Sequence, residues 1–438
     1  MDYSSENIKI VFYILLWVSF LLFYFKRHKG LSLGLALILL YTTQAIVALP
    51  LYNSPDAVSF QFFHKLNYWP FFYLFIMIVI SMIPIIRLRE NGTKYIEIPS
   101  HGVLTFLCIF FPFFSLISII ETIPRLQDGI LIIMASNNDS IMNLYEESTS
   151  LRTSGMFANQ FWGIVRFFIN IGRSIGPLLF FSYLIKKNRN PMVLLLLSVS
   201  LLQTPFEGIA NASRLQLFSQ FFILFLLYCF FSPFIKSTDR KAFRKAALVV
   251  VSFFFAIFMI ITIVRSQYSA GGTGVSSMFS IERYYAEGPL NFNAYCMDAN
   301  GTREGHKVIP LLLRVIGEKT LTSEELIDKY SYMTIDNKVF STYVGDFVLD
   351  FGPTVAFVIF VILFSFFDFL LNHRRRAVLN YGQIIIVALI TRFCSGFYQY
   401  GFSNVGGNHA FITMLFLAFV FMLSKNTKNG KELVKRCK

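Results

Sequence analysis

Cysteine, tryptophan and charge are all scarce in this 438-residue chain, with five Cys, three Trp and only 15% charged residues. Soluble domains carry about 25% charged residues. Of the cysteines, Cys108, Cys229 and Cys394 fall in apolar stretches, Cys437 lies near the C-terminus, and Cys296 stands alone in a long polar connection. That distribution provides neither a disulfide framework nor a metal cluster. A phosphate-binding G-x-x-x-x-G-K-[ST] loop is missing too. The nearest glycine run, Gly271-Gly272-Thr273-Gly274, has no Lys, so the chain is not by itself an ATP-driven pump. Asp350-Phe351-Gly352 matches a kinase triplet with no other kinase element around it. The acids lack the Asp-x-Asp spacing of metal-dependent sugar transferases. No internal repeat is visible, which argues against the repeat-built transporters.

Apolar residues are abundant. The chain is 55% hydrophobic, contains 52 Phe and has a mean hydropathy of +0.58. So few charges cannot cover a water-soluble core holding that many rings, which excludes a soluble enzyme, a secreted disulfide scaffold and a disordered protein. Eleven apolar stretches approach the ~20 residues a spanning helix needs. They run over 8–25, 31–49, 68–86, 101–120, 157–185, 191–206, 212–235, 246–264, 351–371, 381–397 and 409–423. The net charge of +14 is distributed by side. Alternate connections (with basic clusters at Lys26 to Lys29, Arg87 to Lys94, Lys186 to Arg189, Lys236 to Lys245, Arg374 to Arg376, and the tail from Lys425) hold 23 Lys/Arg against four acids, Glu90, Glu97, Asp239 and Glu432. The other side holds 13 Lys/Arg against 20 acids. This is the positive-inside pattern, not a nucleic-acid footprint. It predicts an outside N-terminus and a cytoplasmic C-terminus. The acid-bearing Met1 to Lys9 precedes the first stretch and its basic cluster follows, the reverse of a cleaved signal peptide.

The organisation expected is helices over 1–264, a large outer loop over 265–350, and further helices with a basic tail over 351–438. The loop spans 86 residues, opening on a Gly/Ser-rich hinge from Ser269 to Ser277. A structureless connection that long is unusual in a compact fold. Thr322-Ser323-Glu324-Glu325 predicts a capping box opening a helix to about Tyr332, and the apolar run Ile309 to Ile316 predicts a segment resting on the bilayer or covering a cavity. The connection Glu121 to Met156 mixes apolar and polar residues as a surface helix would.

Arginine inside a span is costly. Arg166 and Arg173, with Asn170 between them, share one face of the fifth stretch and read either as an anion-facing wall or as groups that snorkel or pair with an acid. Arg214, Arg265, Arg392 and His409 gather at the outer ends of spans, where the positive-inside pattern predicts few cations; Arg283 lies early in the loop. Guanidiniums suit a diphosphate because their fork donates two bonds to phosphate oxygens and stays charged. An anionic lipid headgroup from the outer leaflet is the ligand this placement suggests. His306 is the leading general-base candidate, against the reading of a solvated loop residue. Glu207, Asp346 and Asp350 offer the same chemistry or serve as Arg partners.

Four features then resemble the O-antigen polymerases of the Wzy type, the oligosaccharide repeat-unit polymerases of bacterial envelopes. Ala212-Ser213-Arg214 is similar to a small-Ser-Arg step at the outer face, with Ala212 where a Gly is usual. Tyr284-Tyr285-Ala286-Glu287-Gly288-Pro289-Leu290, followed by Asn293-Ala294-Tyr295, resembles an aromatic-Gly-Pro segment early in the periplasmic loop. Asn337-Lys338-Val339-Phe340-Ser341-Thr342 ahead of Asp350 resembles an end-of-loop signature, and the large late loop is the fourth. The resemblance implies an all-α, GT-C-like polytopic fold of about 11 transmembrane helices in the bacterial inner membrane. It implies transfer of a growing chain between two undecaprenyl-diphosphate-linked oligosaccharides at the periplasmic face, with no nucleotide sugar, no metal, and a chain-length regulator as partner. Tyr284 and Tyr285 would then stack on sugars or anchor at the interface. On this reading His306, Arg214 and Arg265 carry the chemistry, while Arg166, Arg173, Arg283, Arg392 and His409 bind substrate. The rival readings are an O-antigen ligase, which shares the donor, and a flippase for the lipid-linked sugar.

Overall fold

The computed structural model describes residues 3–28, 30–59, 63, 65–90, 92–134, 160–211, 213–267, 276–335, 339–373, 377–424 and 432–437. In chain order the helices are α1 (Tyr3–Arg27), α2 (Leu33–Tyr52), α3 (Pro55–Ser59), α4 (Tyr68–Glu90), α5 (His101–Met134) and α6 (Gln160–Leu184). They continue with α7 (Pro191–Ser200), α8 (Gln203–Ala210), α9 (Arg214–Phe231), α10 (Ser237–Gln267) and α11 (Ser277–Asn291). The last are α12 (Pro310–Val315), α13 (Ser323–Lys329), α14 (Thr342–Asn372), α15 (Tyr381–Cys394) and α16 (Asn404–Leu423). Three short strands accompany them: β1 (Tyr95–Ile98), β2 (Val378–Leu379) and β3 (Glu432–Lys435).

Among the described residues ten helical segments are long and apolar enough to cross a membrane, counting α7 and α8 as one. The chain is a mostly helical, multi-pass membrane protein. Of the eleven expected stretches, the tenth, 381–397, forms only the 14-residue α15. It stops at Cys394 because the chain turns at Gly396, where a Cβ would sit 2.4 Å from the Gln399 carbonyl oxygen. The predicted surface helix after Glu121 begins as a direct continuation of α5 to Met134, and residues 135–159 lie outside the described residues. Most of the hinge from Ser269 to Ser277 lies outside them as well, with only Ser276 and Ser277 described.

The chain divides into two compact units. One comprises residues 1–91, 276–375 and 390–408. Its interior is aromatic: Trp17 stacks on Tyr41 at 5.3 Å, Tyr13 on Phe71 at 4.7 Å, and Phe393 meets Tyr343 and Phe364 edge to face. In lipid, where apolar burial gives no drive between helices, such dispersion contacts provide much of the cohesion. Helix α14 is interrupted at Gly352, whose φ of 77° suits glycine, leaving a stub over 342–351, buried from Thr342 to Asp350, and a 20-residue segment over 353–372. At the other end of α14, Arg87 pairs with Asp368, and Asn372 donates to the Pro84 carbonyl.

The second unit comprises 92–275, 376–389 and 409–438. Described residues of five connections, 94–98, 187–189, 233–239, 378–379 and 432–437, come together within it. Strand β1 pairs in parallel with β2 and antiparallel with β3. The Lys187 amide donates to Glu432, Arg189 pairs with Asp239 at 2.7 Å, and the Cys437 amide donates to the Pro233 carbonyl. Helix α5 approaches α6 at Gly172, where a Cβ would lie 3.3 Å from the Phe111 carbonyl, and α8 at Gly129, 2.9 Å from the Ile209 carbonyl. Many of the Phe residues are not core at all: Phe106, Phe113 and Phe253 are more than half exposed, as lipid-facing side chains are.

Candidate functional site

Two polar constellations stand away from the basic connections, one in each unit. In the first unit the segment 303–308 lies against the stub of α14 that precedes Gly352. Arg303 is fully buried, its Nε 2.7 Å from Asp350 Oδ1 and its terminal nitrogen 3.4 Å from Asp346 Oδ1. Lys307 Nζ reaches Asp346 Oδ1 at 2.8 Å. Asp346 also accepts from the Tyr400 amide, and Asp350 Oδ2 accepts from the amides of Lys307 and Val308 at 3.0 and 2.7 Å. Two cations face two carboxylates, so their formal charges cancel; three of the four carboxylate oxygens accept hydrogen bonds, while Asp350 Oδ1 meets Arg303 Nε as an ion pair without hydrogen-bond geometry. Burial alone would lower the proton affinity of Arg303; Asp350 and then Asp346 outweigh it and raise it. Asp346 and Asp350 are four residues apart on one helical face, which lets both reach the same guanidinium. The segment turns tightly through Glu304 (φ 53°) and Gly305 (φ 87°).

His306 rides on this locked turn, with its amide donating to the Arg303 carbonyl. Its ring is buried, yet Nε2 faces the rim, 3.0 Å from Lys329 Nζ and 3.4 Å from Glu318 Oε2. Lys329 is held above its ordinary proton affinity, chiefly through its interaction with Tyr330 and further by Glu304. A charged Lys329 can donate to a lone pair on Nε2, so that one nitrogen has a cation and a carboxylate as neighbours at the rim. Lys329 closes α13, the helix opened by the expected capping box of Thr322 and Glu325, one turn shorter than the sequence pattern suggests.

The other sequence-derived candidates of this unit have separate neighbours. Arg283 forks onto Glu287 at 3.0 and 3.1 Å one turn along α11. Tyr284 meets Phe340 edge to face at 5.1 Å. Tyr285 packs on Phe397, bonds Thr43, and donates to the Leu40 carbonyl; burial raises its phenol above the ordinary value. Arg392 lies over the Phe402 ring, 5.3 Å from its centre.

In the second unit, Arg173 of α6 pairs with Glu207 of α8 at 2.5 Å. Glu207 Oε1 also accepts from Ser118 of α5 and from Gln203, each at 3.2 Å. Because its amide nitrogen must face the carboxylate, Gln203 turns Oε1 the other way. Pairing with an acid, one of the two sequence readings for Arg173, is what is found. Arg166 stands half-buried on the same helix, and the His409 ring meets Phe167 at 5.2 Å. Arg214 is the first residue of α9 and is buried to within 9%. Arg265 lies in the last turn of α10, and its side chain lies outside the described residues, as does Ala212.

The carboxylates weighed as bases, Glu207, Asp346 and Asp350, are all Arg partners. Arg303 was visible in the sequence only as part of the string around His306. Its partners lie 43 and 47 positions away, beyond any periodic signal. Compared with known proteins, the chain matches no family model, no curated protein and no solved structure.

Proposed function

We propose that the chain is a metal-independent glycosyltransferase that polymerises undecaprenyl-diphosphate-linked oligosaccharide repeat units into O-antigen or capsular polysaccharide. It would act at the periplasmic face of the bacterial inner membrane, with a periplasmic N-terminus and a cytoplasmic C-terminus, on a GT-C-like fold. The observation that supports this most is the described part of the long loop. It is a folded element pinned to α14 by the Arg303, Asp346 and Asp350 cluster, away from the basic end of that helix, and it presents His306 at its rim. A tether between spans needs no such anchorage.

In this reading Arg214 and Arg265 stabilise negative charge developing on the diphosphate leaving group, as fixed cations in a dry site can. His306 Nε2 takes the proton of the acceptor hydroxyl as that oxygen attacks the donor sugar's anomeric carbon, and the bond to diphosphate breaks. Arg166, Arg173, Arg283, Arg392 and His409 contribute to substrate binding, and Tyr284 and Tyr285 to sugar contact. Arg173 brings no free charge to this task because Glu207 neutralises it. A chain-length regulator is the expected partner.

The test is a surface-polysaccharide gel of the source strain with the gene deleted and then restored. A ladder that collapses to a core-plus-one-unit band and returns with the wild-type chain is expected. Unattached full-length polymer would indicate a ligase instead, and loss of both polymer and the one-unit band a flippase.

A further inference from the structure

The six-residue helix α12 reads Pro310-Leu311-Leu312-Leu313-Arg314-Val315, apolar at every position but one. Pro310 and Leu313, three apart, are buried against the protein. Leu312, Val315 and the following Ile316 point the other way, 50%, 76% and 72% exposed. A helix apolar on both sides suits hydrocarbon on one of them, not water.

Its level in the molecule is fixed by two contacts. The Leu311 amide donates to Asn408 Oδ1 at 3.2 Å, and Asn408 Nδ2 donates to the Val308 carbonyl at 2.9 Å. Asn408 is the fifth residue of the 20-residue apolar helix α16, roughly 6 Å in from its outer end at ~1.5 Å per residue. The amides of Lys307 and Val308 are bound by Asp350, three residues before the 20-residue segment of α14 begins. Both anchors put α12 at the outer margin of the apolar zone. An interfacial helix lies about 5–10 Å into the boundary between headgroups and acyl chains. The exposed cations Arg314 and Lys319 flank the aliphatic side chains, where lipid phosphates would lie.

We propose that α12 and Ile316 form a non-spanning wedge in the outer leaflet, with Leu312, Val315 and Ile316 against acyl chains and Arg314 and Lys319 among the headgroups. The wedge follows His306 directly: the Ile309 amide donates to the Gly305 carbonyl, and Glu318, two residues beyond Ile316, faces His306 Nε2. His306 therefore sits at the lipid boundary, next to alkyl chains. The proposal requires only that the chain spans a membrane, so it stands or falls apart from the polymerase reading.

The test uses the full-length protein in phosphatidylglycerol/phosphatidylcholine nanodiscs, with a nitroxide at Val315→Cys and Cys437→Ser removing the one native thiol that is not buried. Relaxation by oxygen and by a water-soluble nickel chelate is compared with two references, Val358→Cys on the exposed face of α14 and Glu324→Cys on α13. The expected result is an oxygen-to-nickel accessibility ratio at Val315 several-fold above that at Glu324 and near that at Val358. A ratio matching Glu324 would overturn the wedge. A label at Leu312→Cys provides an independent reading, and the two positions must agree for the proposal to stand.

Discussion

The two polar constellations use the same residue types for different ends. In the first unit Arg303, Asp346 and Asp350 have no exposed surface to speak of, and Lys307, 18% exposed, brings the second positive charge that balances them. In the second, Arg173 and Glu207 keep 24% and 15% of their side chains exposed, and Glu207 gathers three donors on one oxygen. A guanidinium and two carboxylates sealed and balanced in this way fix architecture, because no ligand can reach those three groups and the cluster has no net charge left over. A half-open pair can exchange a partner. An arginine in a membrane protein is therefore judged by what already neutralises it, not by its presence alone.

The contrast can be broken most forcefully at Asp350. Asp350→Ala leaves Arg303 sealed beside too little negative charge, and removing one partner of a buried pair costs about 3–5 kcal/mol. Thermal unfolding in detergent should show a large drop in melting temperature or no folded protein. Arg303→Met combined with Asp350→Leu should recover part of that loss. The amides of Lys307 and Val308 still lose their acceptor, so recovery would be incomplete. A double variant no better than the single one would mean the charges matter beyond their mutual pairing. The same assay on Glu207→Gln should show the smaller loss of one charge-assisted hydrogen bond, about 1.5–3 kcal/mol. Equal losses at Asp350 and Glu207 would erase the distinction drawn here.

The smallest effect concerns Glu325, which is exposed. Lys319 first, and the Thr322 amide next, hold its carboxyl below the ordinary 4.5. A depressed folded-state value means the capping interaction is fully present above 4.5 and fades as pH falls through the lower folded value. Amide protection of residues 323–329 should therefore fall on acidification below that range, and Glu325→Gln should show less of this change. Protection that stays flat with pH would remove the carboxylate from the cap.

Much of the fold was legible because spanning helices are written as long apolar runs. The capping box was legible because it is local. The strands were not: two to four residues inside basic connections carry no alternation to read. The break at Gly352 hid inside an apolar run that reads as one helix. Of the candidate site, the residue types were visible and the pairings were not. Asp346 and Asp350 were weighed as possible Arg partners, but choosing Arg303 over the many other arginines requires knowing that 303–308 folds back onto the stub of α14.

The most direct test of the central claim, that sealed and balanced charges hold the structure while Arg214 serves the proposed polymerisation, is to measure both properties on Arg214→Ala. The variant is purified for its melting temperature and expressed in the deletion strain for its polysaccharide ladder. The account predicts a melting temperature close to wild type together with loss of the ladder. A full-length ladder, or a variant that fails to fold, would contradict it.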